Sequence, residues 1–229
     1  MGVNSDIGGK NFVRGSRRIY DLLLTYASVT PDSRVLEIGC GCGRIAFALA
    51  EQLNDGNYVG MDVEKIALEG AKANLFLYKK GFKFDLLDVK NDAYNPEGKY
   101  AASEYIFPYS EKSFDVVFMI SVFTHMLTDE VHNYTKEISR LLKPRGRCFL
   151  TSFLSDDRNP QFFPFRAQQH SYSNEAIPGL AVAYQSAFLV EAFGANGMQL
   201  VAGPVWGPEP LPEDEFQMRG QDIMVFAKE

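Results

Sequence analysis

The stretch Val35-Leu36-Glu37-Ile38-Gly39-Cys40-Gly41-Cys42-Gly43 decides the fold. Residues 34–38 are apolar apart from an end charge and one acid, and read as a buried strand. A glycine turn follows, and residues 44–53 have the spacing of an amphipathic helix. Glycines at 39, 41 and 43 let the backbone turn sharply and approach a bound molecule with no Cβ in the way. The free N–H groups at the start of the helix point at the same spot. Glu37 stands two residues ahead of the first glycine. A carboxylate there is unwelcome beside a pyrophosphate and suits a ligand carrying a positive ammonium and hydroxyl groups.

Outward from this turn, strands and helices alternate. Residues 16–28 have helical periodicity through Ile19, Leu22, Leu23 and Tyr26, and Thr30-Pro31-Asp32 is a turn. Asn54-Asp55-Gly56-Asn57 turns the chain into a second strand, 58–61. Residues 65–80 read as a helix and 82–87 as a third strand. An irregular polar stretch, 91–103, precedes an apolar strand at 114–120. A helix over 129–142 is broken by Lys143-Pro144-Arg145-Gly146, and 147–153 is a fifth strand. Residues 154–183 read as irregular and aromatic-rich; a helix over 184–196 stops at Gly197, and 198–202 and 222–227 are the last strands. This alternation predicts an α/β fold whose parallel sheet is covered on both faces. Ligands in such sheets bind beyond the carboxyl ends of the strands. The glycine turn, Asp62, Asp88 and Ser121 all fall on that edge.

Composition narrows the function. The chain has 229 residues, a net charge of −6 and 46% hydrophobic residues, which fits one globular domain. Basic residues are scattered, with Arg17-Arg18 and Lys79-Lys80 the adjacent pairs, which disfavours a nucleic-acid partner. No apolar run reaches the roughly 18–20 residues of a membrane helix. The opening Met1-Gly2-Val3-Asn4-Ser5-Asp6 lacks a basic-then-apolar leader, and together with three cysteines this predicts a reducing, cytoplasmic setting. Cys40 and Cys42 have no second Cys/His pair nearby, so they read as small turn residues and no metal site is expected.

A dinucleotide fingerprint has a third glycine where this chain has Arg44, and the Gly-Lys-Ser/Thr of a phosphate loop is absent. Residues 30–153 resemble the class I S-adenosylmethionine-dependent methyltransferases. The resemblance rests on Val35 to Arg44, on Asp62 after Tyr58-Val-Gly-Met, on Ser113-Phe-Asp-Val-Val117 and on Leu142-Lys-Pro-Arg-Gly146. It implies a Rossmann-like, doubly wound, mostly parallel seven-stranded sheet with an antiparallel last strand. It implies a single domain over 1–229: a helical cap at 1–30, a cofactor-binding core at 31–153, a substrate-lid loop at 154–183 and a C-terminal helix and strands at 184–229. It also implies S-adenosyl-L-methionine as cofactor and S-adenosyl-L-homocysteine as product. Under this resemblance Glu37 orients the methionine ammonium, and Gly39, Cys40, Gly41 and Gly43 carry the turn along the methionine part and ribose. Asp62 accepts from both ribose hydroxyls, Val63 packs on the adenine, Asp88 accepts from its amino group, Val89 offers backbone or apolar contact, and Ser121 lies near the sulfonium. Asp85 and Glu104 compete with Asp88, because the segment Asn91 to Gly98 is longer than the common family pattern.

On the acceptor side, His125 in Ser121-Val-Phe-Thr-His-Met126 is the candidate general base, its alternative being a helix cap or core residue. His132 reads as a surface helix residue, and His170 falls in the aromatic loop. Phe162, Phe163, Phe165, Arg166 and Tyr172 form either a lid or a side cluster, and residues 7–12 and 204–208 flank the same region. The expected activity is methyl transfer to an oxygen or nitrogen of a small molecule. A non-catalytic cofactor binder and an NAD-dependent oxidoreductase are the alternatives.

Overall fold

The computed structural model describes residues 10–75, 81–155, 165–166, 170–206 and 221–229. Its strands are β1 (Val35–Ile38), β2 (Tyr58–Asp62), β3 (Lys83–Leu86), β4 (Phe114–Ile120), β5 (Leu142–Leu154), β6 (Phe165–Arg166), β7 (His170–Tyr172), β8 (Val182–Tyr184), β9 (Met198–Trp206) and β10 (Gln221–Lys228). Its α-helices are α1 (Lys10–Leu22), α2 (Arg44–Ala50), α3 (Lys65–Leu75), α4 (Thr128–Leu141) and α5 (Ser186–Gly194). The parallel centre of the sheet runs β3-β2-β1-β4-β5. β10 lies antiparallel beside β5, and β9 antiparallel beside β10.

Side chains alternate across the strands with a period of two, and both faces are buried. Val35, Tyr58, Val116, Phe118 and Phe149 pack on one face with Ile19 and Leu23 of the N-terminal helical segment, Ile45 and Leu49 of α2, and Leu68 of α3. Leu36, Ile38, Val59, Met61, Val117, Met119 and Leu150 pack on the other with Val131 and Ile138 of α4 and Phe188 and Leu189 of α5. At about 1.5–3 kcal/mol for each fully buried large apolar side chain, this packing outweighs helix propensity. The seven residues of α2 are too few to be helical alone.

The fold class is the one read from the sequence, with more strands than seven: the sheet holds ten among the described residues. Part of the expected irregular loop 154–183 is β6, β7 and β8, paired antiparallel to one another. Strands of two or three residues are too short to show periodicity. They form because β5 outruns β4. β4 pairs with β5 as far as Ile120 opposite Thr151, and β10 holds the other edge of β5 as far as Phe153. β8 then takes the vacated edge at Phe153 and Leu154. This sets β8 above the carboxyl end of β4.

Smaller differences follow from tertiary pairing. α1 starts at Lys10 and passes into a wider π-helical turn, Leu23–Ala27. Lys143-Pro144-Arg145-Gly146 is looped out as a bulge: Leu142 faces Phe114 and Arg147 faces Val116, with Arg145 at φ +65°. Tyr184 belongs to β8, and α5 begins two residues later. Among the described residues no helix is long and apolar enough to cross a membrane.

Candidate functional site

At the carboxyl ends of β1 and β2 two carboxylates are built into the floor of the glycine turn. Glu37 is 2% exposed and accepts from the Tyr58 hydroxyl at 2.5 Å. Burial pushes its pKa up to about 8, against the pull of Tyr58 and Arg44. Asp62 accepts the Gly41 N–H at 2.6 Å and the Glu64 N–H at 2.8 Å. Burial raises its pKa, and these N–H bonds oppose the rise. Each carboxylate oxygen keeps a further lone pair, so the group still has capacity for a pair of hydroxyls. The turn is anchored by the N–H groups of Gly39 and Cys40, both donating to the Met61 carbonyl. Gly39 has φ +79°, and a Cβ there would lie 2.5 Å from Val122 Cγ2, so the turn closes against the chain leaving β4.

A residue that sequence reasoning missed is Gly60. A Cβ at this position would stand 2.8 Å from Tyr58 Oη and 2.9 Å from Cys40 Sγ, and the hydroxyl is tied to Glu37. Gly60→Ala is therefore expected to lower stability by about 1–3 kcal/mol in chemical denaturation. An unchanged midpoint would show that the packing around Glu37 accommodates a methyl.

Beyond β3, Asp88 is half-buried and holds the returning chain: its carbonyl accepts from Lys99 and Tyr100, and its Oδ1 from Lys99 N–H at 3.2 Å. Val89 is 2% exposed and bridges to Tyr100, and half-buried Val63 packs against the same core cluster. Asp85, the competitor of Asp88, accepts the Tyr109 hydroxyl instead. Glu104 is exposed on a turn. Buried Glu137 fixes this wall by accepting the Phe107 N–H and pairing with Arg140, whose other N–H groups reach the Phe107 and Tyr109 carbonyls.

Past β4, Ser121 takes a left-handed conformation at φ +60°. Its hydroxyl is engaged with Gln221 of β10, which donates at 2.9 Å and also accepts from Thr151 at 2.7 Å. Its backbone N–H donates to the Thr151 hydroxyl at 3.0 Å. His125 ends a short 3-10 turn, Phe123–His125. Its Nε2 lies 3.5 Å from the Tyr94 hydroxyl, its ring meets Tyr94 edge-on at 5.2 Å, and its carbonyl accepts from Asn91 at 3.3 Å. Burial lowers its pKa, opposed by the nearby Leu180 and Gly179 backbone groups. His132 is exposed on α4. His170 is half-buried on β7 against Tyr172 and Tyr184.

The structure therefore bonds Gly41 directly to Asp62, ties Glu37 to Tyr58 and Gly39 to Met61 of the neighbouring strand, and brings the segment after β3 against His125. Cys40 is buried in the turn, Cys42 is half-buried, and Gly43 starts α2 at φ +81°. Among the described residues no group of His, Cys, Asp and Glu is placed to hold a metal ion. Of the expected lid, Phe162 and Phe163 lie outside the described residues, as do residues 7–9 and 207–208. A groove lined by Thr30, Asp115, Lys143 and Arg147 sits at the opposite, amino-terminal edge of β4 and β5, away from these groups.

Residues 36–148 match the family described as methyltransferase domain. The chain is 28% identical over 128 residues to the tRNA N(3)-cytidine methyltransferase METTL2 of Bos taurus, a match covering 52% of this chain and 29% of that protein. The chain thus spans less than a third of the length of this relative. In structure it is similar to PH0226 of Pyrococcus horikoshii, with a TM-score of 0.67, 15% identity, and 98% and 94% of the two chains covered. It is also similar to the 1,6-didemethyltoxoflavin-N1-methyltransferase of Burkholderia thailandensis with bound S-adenosylhomocysteine, with a TM-score of 0.62, 19% identity, and 95% and 78% covered. At these identities the two structural likenesses concern the fold.

Proposed function

Given that the chain carries a class I S-adenosylmethionine-dependent methyltransferase domain, we propose that it transfers a methyl group from this cofactor to an oxygen or nitrogen of a small molecule. The observation that carries the donor half is the pairing of buried Glu37 with Asp62 across a turn whose Gly41 N–H the second acid holds. A sulfonium cofactor presents an ammonium and a ribose diol, the two groups that these acids suit. In this reading Glu37 takes the ammonium, the backbone of Gly39, Cys40, Gly41 and Gly43 runs beside the methionine part, and Asp62 accepts from the ribose hydroxyls. Val63 and Val89 flank the adenine, and Asp88 accepts from its amino group. Ser121, just past β4, lies near the sulfonium.

When bound, the cofactor supplies a methyl group already activated for in-line displacement, so the protein chiefly positions the nucleophile. His125, whose pKa burial lowers, stands in the chain leaving β4 and is the group proposed to take the acceptor's proton. The net charge of −6 favours an acceptor that is not a polyanion. The likeness to a tRNA methyltransferase is the observation behind a second reading, an RNA acceptor. Isothermal titration with S-adenosylmethionine and S-adenosylhomocysteine tests the donor half: micromolar binding is expected, and no heat at about 1 mM ligand overturns it. Transfer of labelled methyl to bulk tRNA, with none to small-molecule extracts, would favour the second reading.

A further inference from the structure

The segment Asn91 to Gly98, longer than the common family pattern, is a built element of the site. The Asn91 side chain caps its own turn, with Oδ1 accepting the N–H groups of Ala93 at 3.0 Å and Tyr94 at 3.1 Å. Its Nδ2 reaches across to the His125 carbonyl at 3.3 Å. Asn95 donates to the Val89 carbonyl at 3.0 Å, and Asn91 and Asn95 bridge through their backbones. The loop is thus pinned at one end to the adenine wall and at the other to His125. What it carries between these pins is Tyr94, half-buried, with its hydroxyl at 3.5 Å from His125 Nε2. The charges of Glu64 and Asp62 both bear on that hydroxyl. It is therefore within hydrogen-bond reach of the imidazole and within the electrostatic reach of the Asp62 carboxylate.

We propose that Tyr94 is a positioning residue: its hydroxyl donates to Nε2 of His125, keeps that nitrogen unprotonated in the resting protein, and is displaced by an acceptor O–H or N–H that binds in its place. The geometry supports this direction. Among the described groups placed against the ring, the carbonyls of Gly179 and Leu180 can only accept, whereas the Tyr94 hydroxyl, at 3.5 Å from Nε2, can donate. An imidazole side chain in water prefers the opposite tautomer, with the proton on Nε2. The tyrosine is thus what selects the form in which Nε2 is the base. A hydrogen bond of 3.5 Å is long, as contacts at such sites often are before substrate binds. This inference rests on the reading of His125 as the base.

The test is nitrogen-15 NMR of the histidine rings, with the His125 signals assigned by their loss in His125→Asn; the chain holds three histidines. In the parent protein at neutral pH, Nε2 of His125 is expected in the unprotonated range and Nδ1 in the protonated range. In Tyr94→Phe the ring is expected to shift toward the Nε2–H tautomer, while affinity for S-adenosylhomocysteine stays within threefold of the parent. Asn91→Ala, which loosens the same clamp without touching the ring, is expected to move the tautomer in the same direction by a smaller amount. A parent ring already protonated on Nε2, or a Tyr94→Phe spectrum identical to the parent's, overturns the proposal. Failure of the parent to bind S-adenosylhomocysteine overturns the methyltransferase reading and leaves the tautomer result to be judged by itself.

Discussion

Asp62→Ala is expected to weaken S-adenosylmethionine binding at least about 100-fold, because two hydrogen bonds to a charged acceptor are lost at about 1.5–3 kcal/mol each. The same substitution strips the acceptor from the Gly41 and Glu64 N–H groups, which sit at the tightest part of the turn. A further loss of about 1–3 kcal/mol of folding stability is expected from the donors left behind. The two effects are separable. Asp62→Asn keeps one carbonyl oxygen for a backbone N–H but lacks the charge and the second acceptor. It is expected to cost less stability than Asp62→Ala, since its amide nitrogen leaves only one of the two N–H donors without an acceptor, while still binding the cofactor about 10-fold or more weaker. Calorimetric titration and thermal melts of the two variants decide the point. Parent-like affinity in Asp62→Asn would remove Asp62 from the ribose site and leave it a structural brace of the turn.

The contrast between what the sequence discloses and what it conceals is one of range. Gly39 to Gly43, Glu37 and Asp62 are legible because their constraints are local. Positive φ at Gly39, Gly41 and Gly43 selects glycine at those positions, and strand ends place the acids. The near-continuous apolar runs that identify β1, β2 and β4 are legible for the same reason, since a strand covered on both faces is apolar nearly throughout. Contacts set by distant pairing leave no such trace. The Ser121 hydroxyl is taken by Gln221, a hundred residues away along the chain. Asp85 competes with Asp88 on paper, and only the fold reveals that Tyr109 occupies it. The short strands β6 to β8 exist because β5 extends past β4, which no window of three residues contains. In the sequence Tyr94 is one aromatic in a polar stretch; its place is set by the loop's bonds to the Val89 and His125 carbonyls, which are distant pairings.

Glu37→Gln is expected to make the ligand-free protein more stable at alkaline pH while weakening the cofactor, a pairing that distinguishes a binding acid from a structural one. The sign follows from the raised pKa. The folded chain holds a proton on Glu37 up to about pH 8, whereas the unfolded chain releases it near the ordinary 4.5. Between those values the folded state binds more protons than the unfolded state, so stability contributed by this group is present at low pH and falls as pH rises through the window. Glutamine cannot ionise and removes that slope. Its melting temperature is expected to match the parent's near pH 5 and to exceed it by several degrees near pH 8, at roughly 2–4 °C per kcal/mol for a chain of this size. Binding runs the other way. An ammonium needs the carboxylate, so the parent must release a proton from Glu37 as it binds at pH 7, and its affinity should climb with pH until about 8. Titrations in two buffers of different ionisation heat should show a release approaching one proton for the parent and none from this site in Glu37→Gln. The variant's affinity should be about 10- to 100-fold lower, the worth of one charged hydrogen bond. If the parent releases no proton and Glu37→Gln binds as the parent does, the ammonium is held elsewhere and the buried Glu37–Tyr58 pair serves packing alone.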